Sequence, residues 1–141
     1  MNTFSTATRP GILLVTKLRE DHKPSSTENV HATTVDIFAQ TESLEYLDFV
    51  KIDVEGFERD VLEGAESSLR DKRIKHLSFE ISEIPLKGGN RTAQEVFDLL
   101  KACGYLTYEF DPSAKKFRGP IGGSEAFYQN YYASTHSLTE L

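Results

Sequence analysis

Apolar positions along the chain are irregular up to about residue 46 and regular after it. Residues 47–54 carry Phe49, Val50, Ile52 and Val54 on alternate and adjacent positions, a run that predicts a parallel strand covered on both faces. Residues 57–70 place Phe57, Val61, Leu62, Ala65 and Leu69 at helical spacing and predict one helix. Residues 74–81 alternate, with Leu77, Phe79 and Ile81 inward, and predict a second strand. Residues 84–91 read as a loop around Pro85, Gly88 and Gly89. Thr92 and Glu95 form the capping-box pattern, and Val96, Phe97, Leu99, Leu100 and Cys103 follow on one helix side before the glycine stop at Gly104. Residues 105–110 predict a third strand, closed by Asp111-Pro112. Gly119-Pro120 and Gly122-Gly123 bracket a turn. Residues 126–133 predict a last strand, antiparallel because only a short connection precedes it.

The first part is less legible. Residues 1–11 are polar, residues 12–15 (Ile-Leu-Leu-Val) suit one short strand, and residues 20–29 are charged around Pro24-Ser25-Ser26. Thr33 to Asp36 reads as a strand end and helix N-cap, with Ile37, Phe38 and Leu44 lining a short helix. The sequence thus divides into a loosely structured leader over 1–30, a domain over 31–135 and a tail over 136–141. The order β-α-β-α-β-β gives an α/β fold, a parallel sheet with an antiparallel edge strand. There are no internal repeats.

Composition narrows the function. The 141 residues suit one domain, and 22 acidic against 16 basic residues give a net charge of −6. That balance argues against nucleic acid as the partner, which needs a basic face. One cysteine, Cys103, excludes an internal disulfide and fits a reducing compartment. No apolar run approaches the ~20 residues of a membrane span. The expectation is a cytoplasmic protein.

The candidate chemistry sits where the first regular strand ends. Asp53, Glu55 and Gly56 follow Lys51-Ile52, and in α/β proteins ligands collect at the carboxyl ends of strands. Glu80 lies near the end of the next strand. Adjacent parallel strands bring these three carboxylates to one rim, where they can serve as a base or hold a divalent cation, and where Lys51 can pair with one of them. A purely structural role competes with this. Glu55 and Glu58 suit a helix N-terminus, whose dipole favours negative charge, and Asp53 suits a turn. The haloacid-dehalogenase pattern of two aspartates fails at Glu55 and lacks the following threonine. His22, His31, His76 and His136 have no metal-ligand spacing, and the sequence specifies no metal site. The aromatic residues at 126–132 suit packing, and Gly122-Gly123 lacks the lysine of a phosphate loop.

At these residues the chain resembles the FkbM family of S-adenosylmethionine-dependent methyltransferases. The resemblance rests on Lys51-Ile52-Asp53-Val54-Glu55-Gly56, Glu58 and Val61-Leu62-Glu63-Gly64-Ala65. Thr34-Val35-Asp36, the strand ending at Glu80, Gly104-Tyr105, Asn130 and Ala133 add to it, over about residues 30–133. It implies a Rossmann-like methyltransferase sheet, S-adenosylmethionine as cofactor, and O-methylation of a hydroxyl on a sugar, glycolipid or secondary metabolite. It implies catalytic roles for Asp53, Glu55 and Glu80, in proton removal, acceptor binding or metal binding, and a substrate-binding role for Lys51.

The sequence also departs from the family. No two of its nine glycines are separated by a single residue, so the glycine-rich donor loop is absent and no residue is assigned to the cofactor. The chain reads as the carboxyl-terminal part of the domain, truncated in its N-terminal half. The strand over 47–54 is then left with an open edge that invites self-association, unless residues 12–15 supply a substitute strand. Three readings follow: a methyltransferase, an inactive partial domain serving as an interaction module, and a metal-assisted hydrolase.

Overall fold

The computed structural model describes residues 4–9, 12–17, 32–54, 56–82, 92–123 and 128–139. Strands β1 (Phe4–Arg9) and β2 (Ile12–Lys17) pair antiparallel as a two-stranded sheet. The apolar run at 12–15 therefore forms a strand as expected, but its partner is β1, in a segment whose polar composition hid it. It does not pair with the strand at 47.

The main sheet is five-stranded, in the order β3 (Leu47–Ile52), β4 (Ile74–Ser82), β7 (Tyr128–Ser134), β5 (Leu106–Asp111), β6 (Lys116–Ile121). β3 and β4 are parallel, and β7 runs antiparallel to both its neighbours. The last strand is antiparallel as predicted but lies inside the sheet, where Tyr131, Ala133 and Ser134 are fully buried. The antiparallel edge is instead β6, formed by the stretch read as a turn. Proline is tolerated there because an edge strand need not donate from every N–H. Gly119 (φ +149°) is required where β6 closes on β5, since a Cβ would lie 2.8 Å from the Tyr108 ring and 2.9 Å from the Thr107 carbonyl.

On β4 the alternation holds: Leu77, Phe79 and Ile81 are buried in one cluster with residues of α2 (Glu58–Glu63), α3 (Glu66–Arg70) and α4 (Ala93–Ala102). Phe97 of α4 packs edge-on against Phe79 (5.7 Å) and Tyr131 (5.1 Å). α4 begins where the capping box predicts, with the Thr92 N–H donating to Glu95 at 2.7 Å, and ends before Gly104 in the left-handed region (φ +75°). Cys103 is buried at that end. β3 has one neighbour among the described strands, the open edge that was expected, but Phe49 is 53% exposed, so the strand is uncovered on one face and not covered on both.

The helix predicted over 57–70 is two short helices, broken at Gly64 and Ala65. The cause lies elsewhere in the chain. Helix α1 (Val35–Thr41) opens with Thr34 accepting the Ile37 N–H at 3.2 Å. Its Asp36 carboxylate accepts the Ser67 and Ser68 N–H groups (3.0 and 2.9 Å) and the Ser68 hydroxyl (2.5 Å), capping α3 from outside it. The Asp36 N–H returns a bond to the Gly64 carbonyl at 3.0 Å, and a Cβ on Gly64 would press on Thr34 at 3.0 Å. Ala65, at the N-cap position of α3, makes no side-chain cap bond. On α1 the buried residues are Val35 and Ala39, whereas Ile37, assigned to the inner face, is 55% exposed. Among the described residues no helix is long and apolar enough to cross a membrane.

Candidate active site

The parallel register of β3 and β4 pairs Leu47 with Ile74 and Ile52 with Phe79. The same offset carried one residue further sets Asp53 beside Glu80. Across β4, Glu80 pairs with Asn130 of β7. Tyr108 of β5 pairs with Tyr132, so two residues further Phe110 falls level with Asn130, and Phe110 pairs with Phe117 of β6. Asp53, Glu80, Asn130 and Phe110 thus form one row across the sheet at the carboxyl end of β3 and β4. Neighbouring strands of a sheet lie about 4.8 Å apart. The row lies on the face away from Leu77, Phe79 and Ile81, because side chains alternate along a strand.

Both carboxylates are open to solvent in part, and Asn130 and Phe110 are exposed. Lys51 lies two residues before Asp53 on the same strand face and pairs with it, Nζ to Oδ2 at 2.5 Å. The lysine expected to pair with a rim carboxylate therefore does so, with Asp53. An exposed pair of this kind contributes about 0–1 kcal/mol to stability and exchanges readily for another anion or hydroxyl. Glu55 lies outside the described residues. At the Phe110 end of the row, Phe117 lies tilted against Phe110 (5.2 Å) and edge-on to Tyr132 (5.3 Å). Sequence reading gave Asn130 no role and assigned Phe110 only to a strand. Their place in the row depends on the β7 and β5 registers, for which the linear pattern holds no signal.

A buried carboxylate stands behind the rim. Glu58, the first residue of α2, is 5% exposed and accepts the Gly56 N–H at 3.0 Å. Burial pushes its carboxyl above the usual range. The N–H groups of Gly56, Glu58 and Val54 pull it back in part, and the charge of Asp53 raises it further. Gly56 supplies the left-handed turn (φ +98°) that lets the chain pass from β3 into α2. Among the described residues, no group of three or more His, Cys, Asp and Glu side chains is arranged to hold a metal ion.

The methyl donor implied by the resemblance needs a strand followed by a close-approach glycine turn. Among the described glycines, Gly56 alone stands at the rim. Gly64 packs on Thr34, Gly104 ends α4, Gly119 meets β5 and Gly123 meets Gln94. The outer side of β3, where a further strand would sit, is unpaired among the described strands. The described residues therefore do not fit a complete donor cradle. A hollow of about 480 Å³ lies at the other end of β3 and β4, around Asp36, Gln40, Ser43 and Arg73, and is not continuous with this row. Arg73 there is held by the Glu45 and Leu44 carbonyls.

Comparison with curated proteins finds no match, and comparison with solved structures finds none. A family model described as the methyltransferase FkbM domain matches residues 3–107, from β1 into β5. The open α/β sheet agrees with that match, and the chain belongs to the FkbM methyltransferase family.

Proposed function

We propose that the chain acts in S-adenosylmethionine-dependent O-methylation, with a hydroxyl of a sugar, glycolipid or secondary metabolite as acceptor. The observation that carries this reading is the Asp53–Glu80–Asn130 row, which stands on a chain of a methyltransferase family. Hydroxyl methylation requires removal of the hydroxyl proton and alignment of the oxygen. Asp53 and Glu80 are the two carboxylates within one strand spacing of each other, and either accepts that proton. Asn130 offers an amide to a neighbouring hydroxyl. The exposed Phe110 face suits the apolar side of a ring-shaped acceptor. Lys51 pairs with the Asp53 carboxylate and is the residue we assign to acceptor contact. Glu55 keeps its proposed part at the same turn from sequence alone. The single cysteine, which suits a reducing compartment, is the ground for placing the protein in the cytoplasm.

A second reading is an interaction module without transfer activity. Two observations favour it: the unpaired β3 edge with exposed Phe49, and the missing donor cradle among the described residues. An open edge strand pairs readily with another strand, a second copy of the chain included. Calorimetric titration with S-adenosylmethionine, and with S-adenosylhomocysteine as the product-like ligand, separates the readings. Micromolar binding of both supports the enzyme. A folded chain that binds neither, and that sediments above monomer mass, supports the module.

A further inference from the structure

Glu58 is buried at the first turn of a short helix, a costly place for a carboxylate without partners. Its position is explained by what it holds. Oε1 accepts the Gly56 N–H at 3.0 Å. The β3–β4 register ends at Ile52, and Gly56 (φ +98°) precedes the start of α2 at Glu58. In the same turn the Phe57 N–H reaches the Val54 carbonyl at 3.4 Å. Asp53 stands between the end of β3 and this turn.

We infer that Glu58 is the positioning residue of the rim: its buried carboxylate holds the Gly56 N–H and thereby fixes the turn after Asp53 and where Asp53 presents its own carboxylate. This rests on the proposed role of Asp53 as an acceptor-facing group. It explains why two acids stand so close in the chain with different burial. Asp53 is partly open and paired with Lys51, whereas Glu58 is closed off and bonded to backbone. An amide oxygen in the same place would keep the Gly56 bond, and a methyl group would lose it.

The test uses the isotopically labelled full chain and NMR. In the unaltered protein the Gly56 amide resonance follows the titration of the Glu58 side-chain carboxyl, and a Gly56 amide indifferent to that titration overturns the inference without any variant. In Glu58→Ala the Gly56 amide exchanges about tenfold faster or more, the effect of one lost bond in a turn. In Glu58→Gln the protection stays within about threefold of the unaltered chain. Both variants remove the same charge, so a difference between them in the Asp53 carboxyl shift reports geometry. Equal Asp53 shifts and an unchanged Gly56 amide in a folded Glu58→Ala protein contradict the clamp. These readouts need no turnover. A chain that transfers no methyl group removes the proposed function and leaves the Gly56 response intact, whereas loss of that response removes the role of Glu58 whatever the activity.

Discussion

Replacing Asp36 by alanine tests the claim that the break between α2 and α3 is made by α1. Three bonds end on this carboxylate: two backbone N–H groups and the Ser68 hydroxyl. Loss of a capping side chain costs about 0.5–2 kcal/mol. Ser68 is 1% exposed, so its hydroxyl is left buried without its acceptor, which adds about 1–3 kcal/mol. The Ser67 bond is exposed and water replaces it, so it is counted at the low end. The sum is a loss of about 1.5–3.5 kcal/mol. For a chain of this size that is a fall in Tm of about 5–13 °C. Urea denaturation followed by circular dichroism measures the free-energy change, with the slope against urea unchanged if only stability moves. Ser68→Ala in the same background relieves the orphaned hydroxyl, so the double variant is more stable than the sum of the singles predicts, by about 1–2 kcal/mol. Asp36→Asn keeps one acceptor oxygen and falls between. A cost for Asp36→Ala below about 0.5 kcal/mol, or full additivity with Ser68→Ala, refutes the cap.

Three further outcomes follow from the packing and the titrating groups. Phe79→Ala, at the centre of the Phe79–Phe97–Tyr131 contacts, costs about 3–5 kcal/mol in the same denaturation assay. Tyr105 donates its hydroxyl to the Ile74 carbonyl at 2.5 Å, and burial pushes its pKa up to about 12 from 10. The folded state thus holds the proton longer than the unfolded state, so this stabilisation is complete below pH 10 and is lost as pH rises from 10 towards 12. Tyr105→Phe flattens that alkaline loss and costs about 1 kcal/mol at neutral pH. The Glu58 carboxyl is also held above its usual 4.5, so ionising it weakens the fold as pH rises past that value. Glu58→Gln then gains stability relative to the unaltered chain above pH 4.5 and not below it, as thermal melts across pH show.

Elements that carry their own start and stop were legible in the sequence. α4 has its capping box and glycine, and β4 has a strict alternation that the buried Leu77, Phe79 and Ile81 obey. The strand end at Asp53 was legible because a buried-type run meets acids and a glycine. What the linear pattern could not hold was information from other elements. The α2–α3 break depends on Asp36 and on Thr34 against Gly64, some thirty residues upstream. β6 was hidden because Gly119 and Pro120 read as a turn, although an edge strand tolerates both. The interior place of β7 and the alignment of Asn130 and Phe110 with Glu80 depend on sheet order, which sequence spacing does not encode. Glu58 illustrates the same limit: its spacing suited a helix N-terminus, and its clamp on Gly56 appears only with the turn folded.

The central claim is that the Asp53–Glu80 row serves hydroxyl methylation. The most direct measurement is mass-spectrometric detection of methyl transfer from S-adenosylmethionine to a panel of free-hydroxyl sugars, glycolipids and secondary metabolites, with the unaltered chain, Asp53→Ala and Glu80→Ala side by side. The account predicts transfer to an oxygen by the unaltered chain and a fall of about 10²–10⁴-fold when the proton-accepting carboxylate is removed. Transfer that persists undiminished in both variants, or a folded chain that binds the donor and methylates none of these hydroxyls, contradicts it.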